Sequence, residues 1–254
     1  MSDEVLTEYS DGVVVITINR PEARNAVNAA VATGIAAAMD EFEQRDDLVV
    51  AILTGAGGTF SSGMDLKAFM RGESPQAAGR GFGGIAASPP AKPLIAAVEG
   101  YALAGGCELA LSCDLIVAAS DARFGLPEVK RGLVAGAGGL VRLPRRVPYQ
   151  VAMEIALTGE FIPVERAYTV GLVNRITEPG KALDEARALA KTIAANGPLA
   201  VRVTKSVMSQ SLDWPTTEAF DRQAPLIGPV FTSADAMEGA LAFAEKRPPK
   251  WQGK

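Results

Sequence analysis

Two glutamates stand in apolar company. Glu108 lies three residues after Gly105 in YALAGGCELALSCDL (Tyr101–Leu115), and Glu128 follows Pro127 in ARFGLPEVKRG, between Leu126 and Val129. Burial among such neighbours raises a carboxyl pKa toward neutrality, the range in which a general acid or base works at physiological pH. Glycines followed by an Ala/Leu-rich run predict a loop opening into a buried helix. The first-turn N–H groups of such a helix are unpaired and favour an oxyanion or phosphate. Glu108 falls inside that turn. Alone, the segment equally admits a solvent-facing stripe of Glu108 and Ser112, four residues apart. A third element is FSSGMDL (Phe60–Leu66), where Gly63 precedes Met64 at what reads as another loop-to-helix start. A backbone donor there, converging with that of Gly105, would make an oxyanion hole, each donor worth ~3 kcal/mol of transition-state stabilisation. The plainer reading is a helix start capped by Ser61 or Ser62.

Composition narrows the chemistry. The 254 residues contain no histidine, which removes Ser–His–Asp and Cys–His catalysis and the usual zinc sites. Proton transfer then falls to Glu, Asp, Lys, Tyr or Cys. With 48% hydrophobic and 21% charged residues the chain reads as globular, and a net charge of −4 without a basic run argues against nucleic-acid binding. Arg142, Arg145 and Arg146 in VRLPRRVP are broken by Pro144 and Pro148 and read as a solvated loop or a local phosphate contact. The N-terminal MSDEVLTEYSDG lacks the build of a secretory signal, and no apolar run would span a bilayer. A cytoplasmic protein is expected, with Cys107 and Cys113 as buried thiols.

The elements that must position these groups follow from the hydrophobic pattern. Strands are predicted at Val13–Ile18, Leu48–Leu53, Leu94–Val98 and Leu115–Ala118, with a further one at Leu172–Thr177. Glycine-rich or helical stretches separate them, which predicts an α/β fold of repeated strand-and-helix units. From Lys181 onward DEARALAKTIAAN, PLAVRVTKSVMSQ and SADAMEGALAFAEK read as amphipathic helices. Residues 71–92, rich in Gly, Ala and Pro, read as a pocket wall, with a disordered insertion as the alternative. LTGAGGTF and GAGGLV place Phe60 and Val141 where a third glycine should stand, so a dinucleotide-binding turn is a poor fit.

Ordered blocks resemble the crotonase (enoyl-CoA hydratase/isomerase) superfamily along essentially the whole chain. They are Asn19-Arg20-Pro21 with Asn25-Ala26, then FSSGMDL, GYALAGGCE (Gly100–Glu108), FGLPE (Phe124–Glu128), and Gly136–Gly139 followed by RLPR (Arg142–Arg145). The resemblance implies a spiral of repeated ββα units over 1–195 with a C-terminal helical trimerisation module over 196–254. It further implies that the N–H groups of Met64 and Gly105 hold the thioester oxygen of an acyl-CoA. Glu108 and Glu128 would hold a water for syn addition across the 2,3-double bond of a trans-2-enoyl-CoA. No cofactor or metal is implied beyond the coenzyme A of the substrate.

By the same resemblance, coenzyme A would be held by backbone near Ala26 and Ser62, by Lys67 and by Arg24, while Glu22 replaces a basic residue some hydratases carry. Phe243 and Lys246 match positions that reach the coenzyme of a neighbouring subunit, implying a homotrimer or a dimer of trimers. Read without the family, Phe243 is a core residue and Lys246 a surface charge. Gly136 would line the substrate pocket. Met64, Ala104, Val134-Ala135 and Leu140-Val141 depart from common family residues and leave acyl preference open. Isomerase, dehydratase and thioester hydrolase activities on the same fold are alternatives, as is a noncatalytic acyl-CoA binder.

Overall fold

The computed structural model describes residues 4–254; Met1 to Asp3, the start of the acidic N-terminal stretch, lie outside it. The chain runs β1 (Val5–Ser10), β2 (Val13–Ile18), α1 (Ala29–Gln44), β3 (Val50–Gly55), α2 (Leu66–Met70), β4 (Gln76–Ala77), β5 (Gly81–Phe82), β6 (Leu94–Val98), β7 (Tyr101–Leu103), α3 (Gly105–Ser112), β8 (Leu115–Ala119) and β9 (Arg123–Gly125). It continues through α4 (Gly139–Arg146), α5 (Tyr149–Thr158), β10 (Ile162–Pro163), α6 (Val164–Thr169), β11 (Arg175–Thr177), α7 (Ala182–Ala194), α8 (Pro198–Ser211), α9 (Ala219–Phe231) and α10 (Ala234–Glu245).

The main sheet has the order β1-β2-β3-β6-β8-β11, antiparallel between β1 and β2 and parallel from there on. Both faces are covered, which is why its central strands are continuously apolar. Val13, Val15, Val50, Ile52, Ile95, Ala97 and Val117 face Ala182, Ala186 and Ala190 of α7. The alternate residues, among them Val14, Ile16, Leu53, Ala96 and Ile116, face α1 and α3.

A second, three-stranded sheet, β10-β9-β7, stands beside the first. The chain repeatedly lays a strand in the main sheet, turns into a short strand of the second, and then enters a helix or 3-10 turn. β6, β7 and α3 form one such unit. β8, β9 and the 3-10 turn Pro127–Arg131 form another. β3 leads to Ser61, which bridges Ala102 in parallel, and then to α2. This is the spiral of ββα units.

Several expectations change. The acidic, polar N-terminal stretch, for which no strand is predicted, supplies β1, because Val5 is buried and the strand pairs with β2 along its length. The predicted strand at 172–177 shortens to Arg175–Thr177, since Leu172 and Val173 are held by backbone bonds to Ala167. Arg142, Arg145 and Arg146 lie on a helix, not a solvated loop, with Pro144 inside it. Arg146 donates to the Cys113 carbonyl and Arg145 pairs with Asp213 at 2.8 Å. Residues 71–92 are packed: Phe82, Ile85 and Ala86 are buried.

A further helix, α9, carries Pro225 and Pro229. Its two missing N–H donors fall one turn apart on the same face, so the rest of the ladder survives. Lys205 ties α8 to the core, its Nζ reaching Asp114 Oδ2 at 2.7 Å and the carbonyls of Pro90 and Lys92 at 2.7 and 2.9 Å.

Candidate active site

Two short parallel strands, β7 and β9, and a single bridged residue, Ser61, lie side by side. Ser61 bridges Ala102 of β7, and β7 pairs in parallel with β9 through Ala102 and Phe124. C-terminal to Ser61, β7 and β9 follow, respectively, Met64, Gly105 and Glu128, the usual location for a ligand site in parallel structure. The buried Asn25 secures the Ser61 segment. Its Nδ2 donates to the carbonyls of Ala56 and Thr59 at 2.8 and 2.5 Å, its Oδ1 accepts from Arg20 N, and its carbonyl accepts Ser61 Oγ at 2.8 Å.

Met64 forms a parallel bridge with Val27, in which Val27 N–H donates to Gly63 O at 2.8 Å and Asp65 N–H donates to Val27 O at 2.9 Å. In such a bridge the flanking residues make the bonds, so the N–H of Met64 itself points the other way. It donates to no acceptor among the described residues. Gly105 is the first residue of α3, and its N–H likewise has no acceptor there, as a first-turn amide should. A β-carbon at Gly105 would lie 2.4 Å from the Phe82 ring, so only glycine admits that ring. Neither Ser61 nor Ser62 caps α2; Asp65 does, accepting from Lys67 N and Ala68 N at 3.0 Å.

Glu108 and Ser112 are buried, not a solvent-facing stripe. Glu108 Oε1 accepts from Ala137 N at 2.7 Å, in the glycine-rich loop before α4, and from Gly139 N at 2.9 Å, the first residue of α4. Burial pushes its carboxyl up to about 7 against these two bonds, and the nearby Glu128 charge adds to the rise. Glu128 sits on the 3-10 turn after β9. Its Oε2 is buried without a hydrogen-bond partner among the described residues, and burial raises its pKa too. Such an orphaned oxygen costs free energy unless a ligand or water satisfies it. Cys107 and Cys113 are free and buried, with thiols pushed up to about 12, so they are not nucleophiles.

A cavity of about 420 Å³, lined by Phe82, Gly136, Ala137 and Arg142 among others, lies next to Gly105 through Phe82 and to Glu108 through Ala137; Met64, Gly105, Glu108 and Glu128 are not themselves in its lining. Residues 71–92 thus form part of its wall, through Gln76, Phe82 and Ala86. A larger, open depression of about 810 Å³ lies along β11 and α7 and contains none of the groups just described. Its cations Arg175 and Lys181 are paired with Glu185 and Asp184, so among the described residues it offers no free cation.

The residues expected to hold coenzyme A divide into two sets. Arg24, Ala26 and Ser62 come together: Ser62 N–H donates to Arg24 O at 3.0 Å, and Ala26 O accepts Arg20 Nη1 at 2.6 Å. Lys67 is exposed on α2, next to this group through Asp65, which pairs with Arg20 at 3.0 Å. Phe243, by contrast, lies on α10 and is 88% exposed, which overturns its reading as core. Lys246 is exposed at the left-handed end of the same helix. Three contributors escaped the sequence reading: the Ala137 and Gly139 amides on Glu108, and Phe82 on Gly105. The paired Gly138-Gly139 was their one visible signal.

The spiral of ββα units with its helical C-terminal region defines a crotonase-fold protein. Within that class the chain belongs to the enoyl-CoA hydratase/isomerase family, whose sequence model matches residues 8–254. An enoyl-CoA hydratase of Mycobacterium tuberculosis superposes with a TM-score of 0.97 at 61% identity over 99% of each chain. A carnitinyl-CoA hydratase of Mycobacterium avium superposes with a TM-score of 0.81 at 42% identity over 100% of each. A carnitinyl-CoA dehydratase of Salmonella arizonae is 41% identical over 265 aligned positions, again covering 100% of both chains.

Proposed function

We propose that this protein is an enoyl-CoA hydratase, adding water syn across the 2,3-double bond of a trans-2-enoyl-CoA to give a 3-hydroxyacyl-CoA. The observation that carries the reading is the pair of amides without an acceptor among the described residues, Met64 and Gly105, beside two carboxyls with raised pKa. The amides would take the thioester oxygen as it gains charge, making C3 electrophilic. Water held between Glu108 and Glu128 would form the C3–O bond and lose a proton to one carboxylate, while the other carboxyl gives a proton to C2. The pair titrates as one system and the two roles are not divided between them. No metal or further cofactor is invoked.

Coenzyme A would lie along Arg24, Ala26, Ser62 and Lys67. Phe243 and Lys246 would serve the site of a neighbouring subunit in a trimer or dimer of trimers. The exposed apolar side chains of α8 to α10, including Met208, Phe220, Phe231, Met237 and Phe243, support such an assembly. Free thiols fit a cytoplasmic setting.

The reverse reaction, dehydration of a 3-hydroxyacyl-CoA, uses the same groups and is supported by the dehydratase relative. Purified protein assayed on crotonyl-CoA and on longer, branched and functionalised enoyl-CoAs should remove the enone absorbance. Product formed in heavy-oxygen water should carry the label at C3. Unlabelled product would favour an isomerase, and tight binding without turnover a noncatalytic acyl-CoA binder.

A further inference from the structure

Arg142, on α4, is a partly buried cation to which the reaction above gives no task. Its Nη2 donates to Ala86 O at 2.6 Å and its Nη1 to Ala137 O at 3.4 Å. A β-carbon added to Gly138 would overlap that same Nη1, so the guanidinium rests against Gly138. The residues on either side of Gly138, Ala137 and Gly139, supply the two amides that hold Glu108 Oε1. One side chain therefore lies against the middle of the turn whose flanking amides carry the carboxyl.

We propose that Arg142 is a positioning residue for Glu108, clamping the Ala137–Gly139 turn to the Ala86 carbonyl and so fixing where the carboxyl sits. Carbonyls accept its hydrogen bonds but neutralise no charge, so its field also reaches Glu108. Burial chiefly, and Glu128 on the 3-10 turn, raise the Glu108 pKa, while the two amides and Arg142 oppose the rise. Around Arg142 itself stand Arg146, Glu108 and the Cys113 thiol, which at about 12 is neutral in the working range. The inference rests on the reading of Glu108 as one of the two reacting carboxyls.

The test compares full-length wild type with Arg142→Gln and Arg142→Lys. Infrared difference spectra, each referenced to the same protein carrying Glu108→Gln, titrate the carboxyl without need of turnover. Kinetics on a trans-2-enoyl-CoA run beside them. In Arg142→Gln the Glu108 midpoint should rise by about half a unit or more, because a favourable charge is lost. Its kcat should fall roughly tenfold or more with KM within about twofold, since small misplacements of catalytic groups are costly. Arg142→Lys keeps the charge but not the fork, so its midpoint should return to the wild-type value while kcat stays several-fold low. An unmoved midpoint in Arg142→Gln would overturn the inference, as would a shift that Arg142→Lys fails to reverse. Should Arg142→Gln not fold, Arg142→Lys decides alone, and wild-type kcat in it would overturn the clamp. A wild type that turns over no enoyl-CoA, with the midpoint still rising in Arg142→Gln, would remove the hydratase reading and leave the positioning of Glu108 standing.

Discussion

Gly139 meets Glu108 twice: its N–H donates to Oε1 at 2.9 Å, and a β-carbon added to it would lie 3.1 Å from that same oxygen. One residue therefore both anchors the carboxylate and leaves room for it. The same β-carbon would also lie 3.1 Å from Leu126, two residues before Glu128. Gly139→Ala is expected to fold, because the position is helical and does not need a positive φ. Hydration should fall by about tenfold or more as Glu108 is displaced, with Tm within a few degrees of wild type. Steady-state kinetics beside a thermal melt would separate the two effects.

Glu108 also makes stability depend on pH. Its folded-state pKa of about 7 lies above the ordinary carboxyl value, so its contribution is fully present below pH 4.5 and is lost as pH rises through 7. The cost of ionising it in place is about 3 kcal/mol. Glu108→Gln should therefore be more stable than wild type at pH 8, by up to that amount, and the difference should close toward pH 4.5. Denaturant unfolding at several pH values checks the sign; a gap that widens in acid would contradict it.

Glu128 presents an oxygen that no group among the described residues satisfies. Glu128→Gln should lower kcat by roughly 10²–10⁴, the usual scale for losing an acid–base group, while coenzyme A binds as before. Calorimetric titration of the variant with coenzyme A or a saturated acyl-CoA would distinguish lost chemistry from lost binding.

Lys205 ties α8 to the segments that lead into β6 and β8. Its ammonium reaches two carbonyls and Asp114, and Asp114 in turn accepts the Leu94 N–H at 2.8 Å. Lys205→Met should cost about 1–3 kcal/mol by leaving these acceptors without their donor. Limited proteolysis should then cut first between α7 and α8.

Phe243 offers a test of assembly. A charge placed on that exposed aromatic, Phe243→Asp, should leave the protomer folded and shift sedimentation toward a smaller species, with activity falling as the species dissociates.

Much of the architecture is legible from periodicity. Val13–Ile18 and Leu94–Val98 are strands with the boundaries their apolar runs imply, since both faces of the sheet are covered. The ends of the chain were harder to read. β1 alternates buried and exposed residues among charges, and α9 contains two prolines that argue against helix. Glu108 and Glu128 stand out because carboxylates are rare in apolar runs. The Ala137 and Gly139 amides leave only the Gly138-Gly139 pair as a trace of their role, because a backbone donor has no side chain by which to identify it. Ala104 is the sharpest case: its residue type predicts an ordinary helix-forming alanine, whereas its φ of +50° is set by strands that meet only in three dimensions.

The Arg142 guanidinium donates to Ala86 O at 2.6 Å and to Ala137 O at 3.4 Å, on a loop whose next bond is to Glu108. The wall of the cavity and the carboxylate are thereby braced by one strut. Grafting the 71–92 segment from another family member to alter acyl preference would carry the brace along with it. A graft that moved the Ala86 carbonyl would retune proton transfer together with chain-length selectivity.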